Sequence, residues 1–254
     1  MRNKPRTKIA DPSSADWGKV AETIKPLIPK DEVHHAQVEG GNRTDHKSIL
    51  DIRTKPVTIG IPLDEIVFSK FFVNFELLDK MPWDNMITTT STYLPDARNK
   101  VHNFFLNDDK AEHLFMLDSD VLPPPKIIAT LLAHKKDMVG GYYVKKEKYP
   151  VKNAAGEIEI VQRPVVYDHY GHQEGVIQYV QRRFPGEGLE EVAAAGAGCW
   201  LMSRKLAEAL GESPYNMGDG TGEDLDLCKK ITVAGFPMFI DWNMRCAHVG
   251  TWFV

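Results

Sequence analysis

His113-Leu114-Phe115-Met116-Leu117-Asp118-Ser119-Asp120-Val121-Leu122-Pro123-Pro124-Pro125 is the stretch from which the fold reads. Its apolar half is a short buried strand, His113 to Leu117, that stops at the polar turn Asp118-Ser119-Asp120. The prolines end in Pro125, at the first turn of a helix running to His134. Working outward, the same grammar repeats. Val57 to Ile61 is an apolar strand ending at Pro62, and Ser69 to Met81 is a helix with Phe72, Phe75 and Leu78 on one face. Asn85 to Thr90 is β-rich, Asp96 to Leu106 is a helix with Val101, Phe104 and Phe105 inward, and Met138 to Lys145 is another strand. Repeated β-α-β units imply an α/β fold with a mostly parallel sheet and helices on both faces.

Beyond Tyr149 the rhythm loosens. Val161 to Tyr167, Val176 to Val180 and Leu189 to Ala193 are short strand-like runs, followed by the turn Ala195-Gly196-Ala197-Gly198 and a strand, Cys199 to Met202. A helix follows from Arg204 to Leu210, then a Gly/Asp loop, a helix from Glu223 to Ala234 and a strand from Pro237 to Trp242. Residues 1–55 differ in kind. They are rich in charge, Pro and Ser, with a short amphipathic helix expected from Asp16 to Lys25 (Trp17, Val20 and Ile24), and they read as an extension of the domain at 56–254.

The 254 residues carry 31 Lys and Arg against 35 Asp and Glu, a formal charge of −4, which argues against a protein whose main task is coating nucleic acid. Three cysteines without a CxxC pair are too few for a disulfide framework and read as reduced thiols. The start is basic but no apolar segment of a signal peptide follows it. The longest uncharged stretch, Val192 to Ser203, falls short of the roughly twenty apolar residues that span a bilayer. A cytoplasmic protein without a membrane span is the expectation.

Several residues can carry chemistry. Asp118 and Asp120 stand at the carboxyl end of a strand, where open α/β sheets collect ligands, and can share a hard divalent cation; the same residues also make an ordinary polar turn. His248 can complete an oxygen-rich metal site as a neutral imidazole, or be structural. Glu223 and Asp224 open a helix. Thr221 with Asp224 has the spacing of a capping box, and an acid there can also serve as general base toward a hydroxyl. Arg98, near a helix start, is either a surface charge or an arm for phosphate oxygens; Lys145 and Lys146 share that ambiguity. Gly196 and Gly198 make a turn that also lets backbone approach a ligand.

In order, Ile61-Pro62, Ala97-Arg98-Asn99, Leu117-Asp118-Ser119-Asp120, the Gly-rich turn before Cys199-Trp200-Leu201-Met202, Glu223-Asp224-Leu225-Asp226-Leu227 and His248 resemble the GT-A glycosyltransferases. The nearest resemblance is to the inverting, DxD-containing family-two group and its viral and bacterial relatives, over roughly Pro56 to Gly250. The resemblance implies a single Rossmann-like nucleotide-diphospho-sugar transferase domain, with residues 56–147 on the nucleotide side and 148–254 on the acceptor side. It implies Mn²⁺ or Mg²⁺ held by Asp118, Asp120 and His248, bridging the diphosphate of a UDP- or GDP-linked sugar. Pro62 and Asp64 then match the base-contacting region, with Arg98, Asp118 and Ser119 at the donor and Gly196 and Gly198 beside the sugar. Asp224 matches the general base of inverting members, with Glu223 orienting the acceptor or substituting for it.

No QxxRW-type motif follows the Glu-Asp helix, which argues against a processive synthase. The implied partners are the donor and a glycan or other hydroxyl acceptor, with a homo-oligomer also open. Three alternatives stand beside the inverting enzyme. They are a retaining enzyme with the same metal site, a non-catalytic sugar-nucleotide-binding assembly protein, and a nucleotidyltransferase, for which Gly60 to Asp64 lacks the expected triphosphate loop.

Overall fold

The structure is a computed structural model that describes residues 55–63, 67–152, 156–173, 176–218 and 222–249. The expectations for residues 1–54, for Asp64 and for Thr221 lie outside the described residues. The first strands alternate with helices as the pattern predicts. They are β1 (Val57–Leu63), α1 (Ser69–Glu76), β2 (Asn85–Thr90), α2 (Leu94–Asn107), β3 (His113–Leu117), β4 (Val121–Leu122), α3 (Ile127–Ala133) and β5 (Met138–Tyr142). The looser stretch holds β6 (Tyr149–Lys152), β7 (Ile158–Val161), β8 (Val166–Gln173), β9 (Val176–Gln181), β10 (Leu189–Val192) and β11 (Ala194–Ala195). The chain then forms β12 (Cys199–Ser203), α4 (Arg204–Leu210), α5 (Glu223–Val233), β13 (Met238–Arg245) and β14 (Ala247–His248).

The main sheet has seven strands in the order β10-β13-β5-β12-β3-β1-β2. Strands β2, β1, β3, β5 and β13 run the same way, whereas β12 lies antiparallel between β3 and β5, and β10 antiparallel on the edge. The period-2 rule sorts the side chains into two cores, one per face. Leu114 and Met116 of β3, with Trp200 and Met202 of β12, pack under α2, α4 and α5 through Val101, Phe105, Leu206, Leu227 and Ile231. Phe115 and Leu117, with Cys199 and Leu201, pack on the other face against Phe71 and Phe75 of α1 and Ile127, Ile128 and Leu131 of α3. Gly60 permits the close seat of α2 on β1, because a Cβ there would lie 2.0 Å from Val101 Cγ1. Pro62 is tolerated because the β1–β3 pairing ends at Gly60, so its missing N–H faces no ladder partner on β3. Smaller sheets, β11-β8-β9, β6-β7 and β14-β4, fill out the remainder.

Two helices depart from their expected extent and face. The first ends at Glu76 rather than Met81, because Asp79 is drawn away to accept hydrogen bonds from the first-turn amides of α3, Ile128 N at 3.2 Å and Ala129 N at 2.7 Å. Its buried face is Phe71 and Phe75, with Leu78 buried just beyond its end, while Phe72 is 59% exposed. In α2 the buried stripe is Ala97, Arg98, Val101, His102 and Phe105, and Phe104 falls off it toward solvent.

His102 is fully buried on that stripe, and its Nε2–H donates to Gly211 O at 3.0 Å. Burial outweighs the hydrogen bonds to Gly211 and Ala207 and pulls its pKa from 6.5 down to about 4. The unfolded chain therefore takes up a proton near pH 6.5 that the folded chain refuses until about pH 4. Stability contributed by neutral His102 is fully present above that window and is lost as pH falls through it, at about 1.4 kcal/mol per pH unit. Urea unfolding across pH 7 to 4 is expected to show this slope, and His102→Gln to remove it. An identical slope in the variant would contradict the assignment.

Candidate active site

Every parallel strand of the main sheet delivers its carboxyl end to one edge. β1 brings Pro62, which is buried, and β3 brings Asp118, Ser119 and Asp120, of which Ser119 is 9% exposed. The antiparallel β12 starts at that edge, so the turn Gly196-Ala197-Gly198 sits beside Asp118, and Asp118 N donates to Gly198 O at 2.9 Å. His248, 128 residues along the chain from Asp120, arrives through the small β14–β4 pairing, in which His248 is opposite Val121 and Val249 N donates to Asp120 O at 2.7 Å. No spacing rule in the sequence brings these two together.

The charges form two linked groups. In the first, Arg98 is only 3% exposed and its Nη2 donates to both oxygens of Asp118, at 2.9 and 2.8 Å, while Nη1 pairs with Glu223. Burial alone would lower the Arg98 pKa, but the charges of Asp118 and Glu223 outweigh it and hold the guanidinium protonated. Arg98 is thus committed to two carboxylates, and it ties the end of β3 to the start of α5. Glu223, expected to face the acceptor, is likewise committed to Arg98.

In the second group, Asp120 Oδ2 lies 2.7 Å from Lys146 Nζ and 3.4 Å from His248 Nε2. Burial would raise the Asp120 carboxyl, yet the hydrogen bonds and charges of His248 and Lys146 prevail and hold it near 2. His248 Nδ1 faces Val144 O at 2.8 Å; a carbonyl only accepts, so Nδ1 carries a proton and donates, and Nε2 is aimed at Asp120.

Asp224 stands apart from both groups. It is half-buried, its Oδ1 accepts from Leu225 N at 2.8 Å, and burial together with the charge of Glu223 raises its pKa above the ordinary value. It follows Glu223 at the start of α5, and because Arg98 pairs with both Glu223 and Asp118, Asp224 opens on the same edge. The N-cap of α5 is Gly222 with no side-chain cap, so Asp224 does not form the expected box within the described residues.

Tyr143, which the sequence reading passed over, holds the glycine turn. Its hydroxyl accepts from Gly198 N at 3.1 Å, and its ring packs edge-on to His248 with centroids 5.1 Å apart. A Cβ at Gly196 would lie 2.3 Å from that hydroxyl, and one at Gly198 would lie 2.9 Å from it and 3.0 Å from Asp118 Oδ2. Both glycines are therefore required by close approach of the tyrosine rather than by a positive φ. A Tyr one residue beyond an apolar strand carries no signal in sequence that distinguishes it from its neighbour Tyr142.

Asp120 Oδ2 and His248 Nε2, 3.4 Å apart, offer a divalent ion one carboxylate oxygen, the donor type Mn²⁺ and Mg²⁺ favour, and one imidazole nitrogen. Asp120 and His248 fit such an ion. Asp118 is turned to Arg98, and no cluster of three or more His, Cys, Asp or Glu side chains placed to hold a metal is found among the described residues. No described helix is long and apolar enough to cross a membrane.

A central sheet of mostly parallel strands between two helical layers, with its polar residues gathered at the strand ends, defines an open α/β fold. No protein-family model and no curated protein matches the chain. Among solved structures it is similar to A197 from STIV, with a TM-score of 0.51 and 16% identity, covering 77% of this chain and 86% of that one. It is similar, too, to the glycosyltransferase GalNAc-T7 solved with UDP, GalNAc and Mn²⁺, with a TM-score of 0.51, 13% identity and coverage of 77% of this chain and 44% of that one. These likenesses show the fold, which is of the GT-A type.

Proposed function

We propose that the chain is a metal-dependent glycosyltransferase that moves a sugar from a UDP- or GDP-linked donor to an acceptor hydroxyl with inversion at the anomeric carbon. The observation that carries the reading is the meeting of Asp120 and His248 at 3.4 Å on the sheet edge where α5 opens with Asp224. It is supported by the fold shared with GalNAc-T7, whose structure contains UDP, GalNAc and Mn²⁺. The glycine turn, the Asp-x-Asp sequence and the Glu-Asp helix are the features that resemble the family-two group. Residues 56–147 would then supply the nucleotide side and 148–254 the acceptor side.

Asp120 and His248 would hold the divalent ion, which would supply positive charge beside the diphosphate. Asp118, fixed by Arg98, keeps the β3 end in register beside the donor, and Tyr143 holds the Gly196–Gly198 turn clear of side chains where the sugar would lie. Asp224 accepts the proton of the acceptor hydroxyl as its oxygen forms a bond to the anomeric carbon, while the bond to the diphosphate oxygen breaks and its electron pair leaves with the nucleotide. A carboxylate with a raised pKa suits that work, because it is more basic than an exposed one. Release of nucleoside diphosphate from the donor is expected to stop in EDTA and to return with Mn²⁺. Full turnover in chelator would refute the metal role of Asp120 and His248.

A further inference from the structure

Asp120 already has a cation beside it. The ammonium of Lys146 lies 2.7 Å from Oδ2, the same oxygen that His248 Nε2 approaches at 3.4 Å. The backbone beneath Lys146 is pinned: Lys145 N donates to Arg163 O at 2.9 Å, and the Gln162 side-chain amide donates to Lys145 O at 3.0 Å and to Lys146 O at 3.4 Å. That same continuation of β5 supplies Val144 O, the carbonyl that orients His248. The lysine stem therefore leaves from a fixed point, and its side chain is 42% exposed, so its end can swing.

A partly exposed lysine–carboxylate pair contributes little to stability, and an ammonium and a divalent ion on one carboxylate oxygen repel each other. A divalent ion arriving at Asp120 and His248 therefore displaces the ammonium, and the nearest new negative charge is the diphosphate that arrives with it. Building on the donor-site reading above, we propose that Lys146 is a diphosphate-binding residue. Its ammonium occupies the cation position on Asp120 until a divalent ion moves it onto the phosphate oxygens. Lys146 therefore weakens binding of the ion alone and strengthens binding of the diphosphate.

Two titrations of the full chain test this, with wild type, Lys146→Met, Lys146→Arg and Asp120→Ala, each checked for an unchanged melting transition. Mn²⁺ is titrated alone with free ion read by electron paramagnetic resonance, and inorganic pyrophosphate is titrated by calorimetry with Mn²⁺ held at a saturating concentration. Lys146→Met is expected to bind Mn²⁺ about fivefold tighter and pyrophosphate about tenfold weaker, with Lys146→Arg keeping pyrophosphate affinity. Unchanged affinities in Lys146→Met, while wild type binds Mn²⁺ and Asp120→Ala does not, overturn the proposal and leave the donor site standing. A change in Mn²⁺ affinity alone overturns the diphosphate assignment. Wild type that binds neither probe overturns both the proposal and the donor-site reading.

Discussion

Asp224→Asn is expected to lower transfer by about 10²- to 10⁴-fold while leaving nucleotide affinity near that of wild type. Arg98 is engaged by Asp118 and Glu223, so this buried cation has its hydrogen bonds elsewhere, and burial with the Glu223 charge raises the Asp224 pKa. Asparagine keeps the shape and can still accept from Leu225 N, but it cannot take a proton. The sign for stability follows from the same shift. A carboxyl whose folded pKa is raised costs the folded state stability above that pKa, so its removal leaves the melting temperature equal or higher. The pH profile of transfer is expected to fall at low pH, through a pKa above the ordinary 3.8 of an aspartate. A variant that loses stability and nucleotide binding together, with residual transfer in proportion, would make Asp224 a structural residue.

Arg98→Met is expected to have the largest effect on stability, a loss of about 3 kcal/mol or more. The guanidinium is 3% exposed and serves two carboxylates that are themselves mostly covered, Asp118 at 19% and Glu223 at 14%. Removing it leaves two negative charges near each other with restricted access to water, and that cost exceeds the net worth of the ion pairs themselves. Adding Glu223→Gln to Arg98→Met is expected to restore part of the loss, because one orphan charge is then gone. Denaturant unfolding of the single and double variants reads this coupling. A single variant within about 1 kcal/mol of wild type would place Arg98 among ordinary surface charges. Transfer should fall as well, since Arg98 is the bond between the β3 end and the α5 start.

The fold was legible in sequence because its central strands are short, apolar and bounded by turn residues. β3 and α4 coincide with the runs read from their periodicity, and the alternation within β3 divides between the two cores as a period of two requires. The antiparallel place of β12 was not legible, since a β-α-β rhythm says nothing of a strand inserted from later in the chain. The end of α1 was hidden for a similar reason: Asp79 serves a helix that starts 48 residues further on. Within the site, the types of Asp118, Asp120, Glu223 and Asp224 were readable and their partners were not. Arg98 read as either a surface charge or an arm for phosphate, yet it is the buried centre of an acid pair, because only the packed helix shows which face it occupies. Tyr143 was invisible, as its role depends on glycines 53 and 55 residues away.

The measurement that bears most directly on the proposed activity is a thermal-shift series with UDP, GDP, CDP and ADP and their sugars, with and without Mn²⁺, on wild type and Asp120→Ala. A ligand that binds only the folded chain raises its stability by mass action, by about 2.7 kcal/mol at a hundred times its dissociation constant. The expected result is a Mn²⁺-dependent rise with one nucleotide and its sugar in wild type, absent in Asp120→Ala. No rise with any nucleotide from a folded wild-type protein, or an equal rise in Asp120→Ala, would contradict the account.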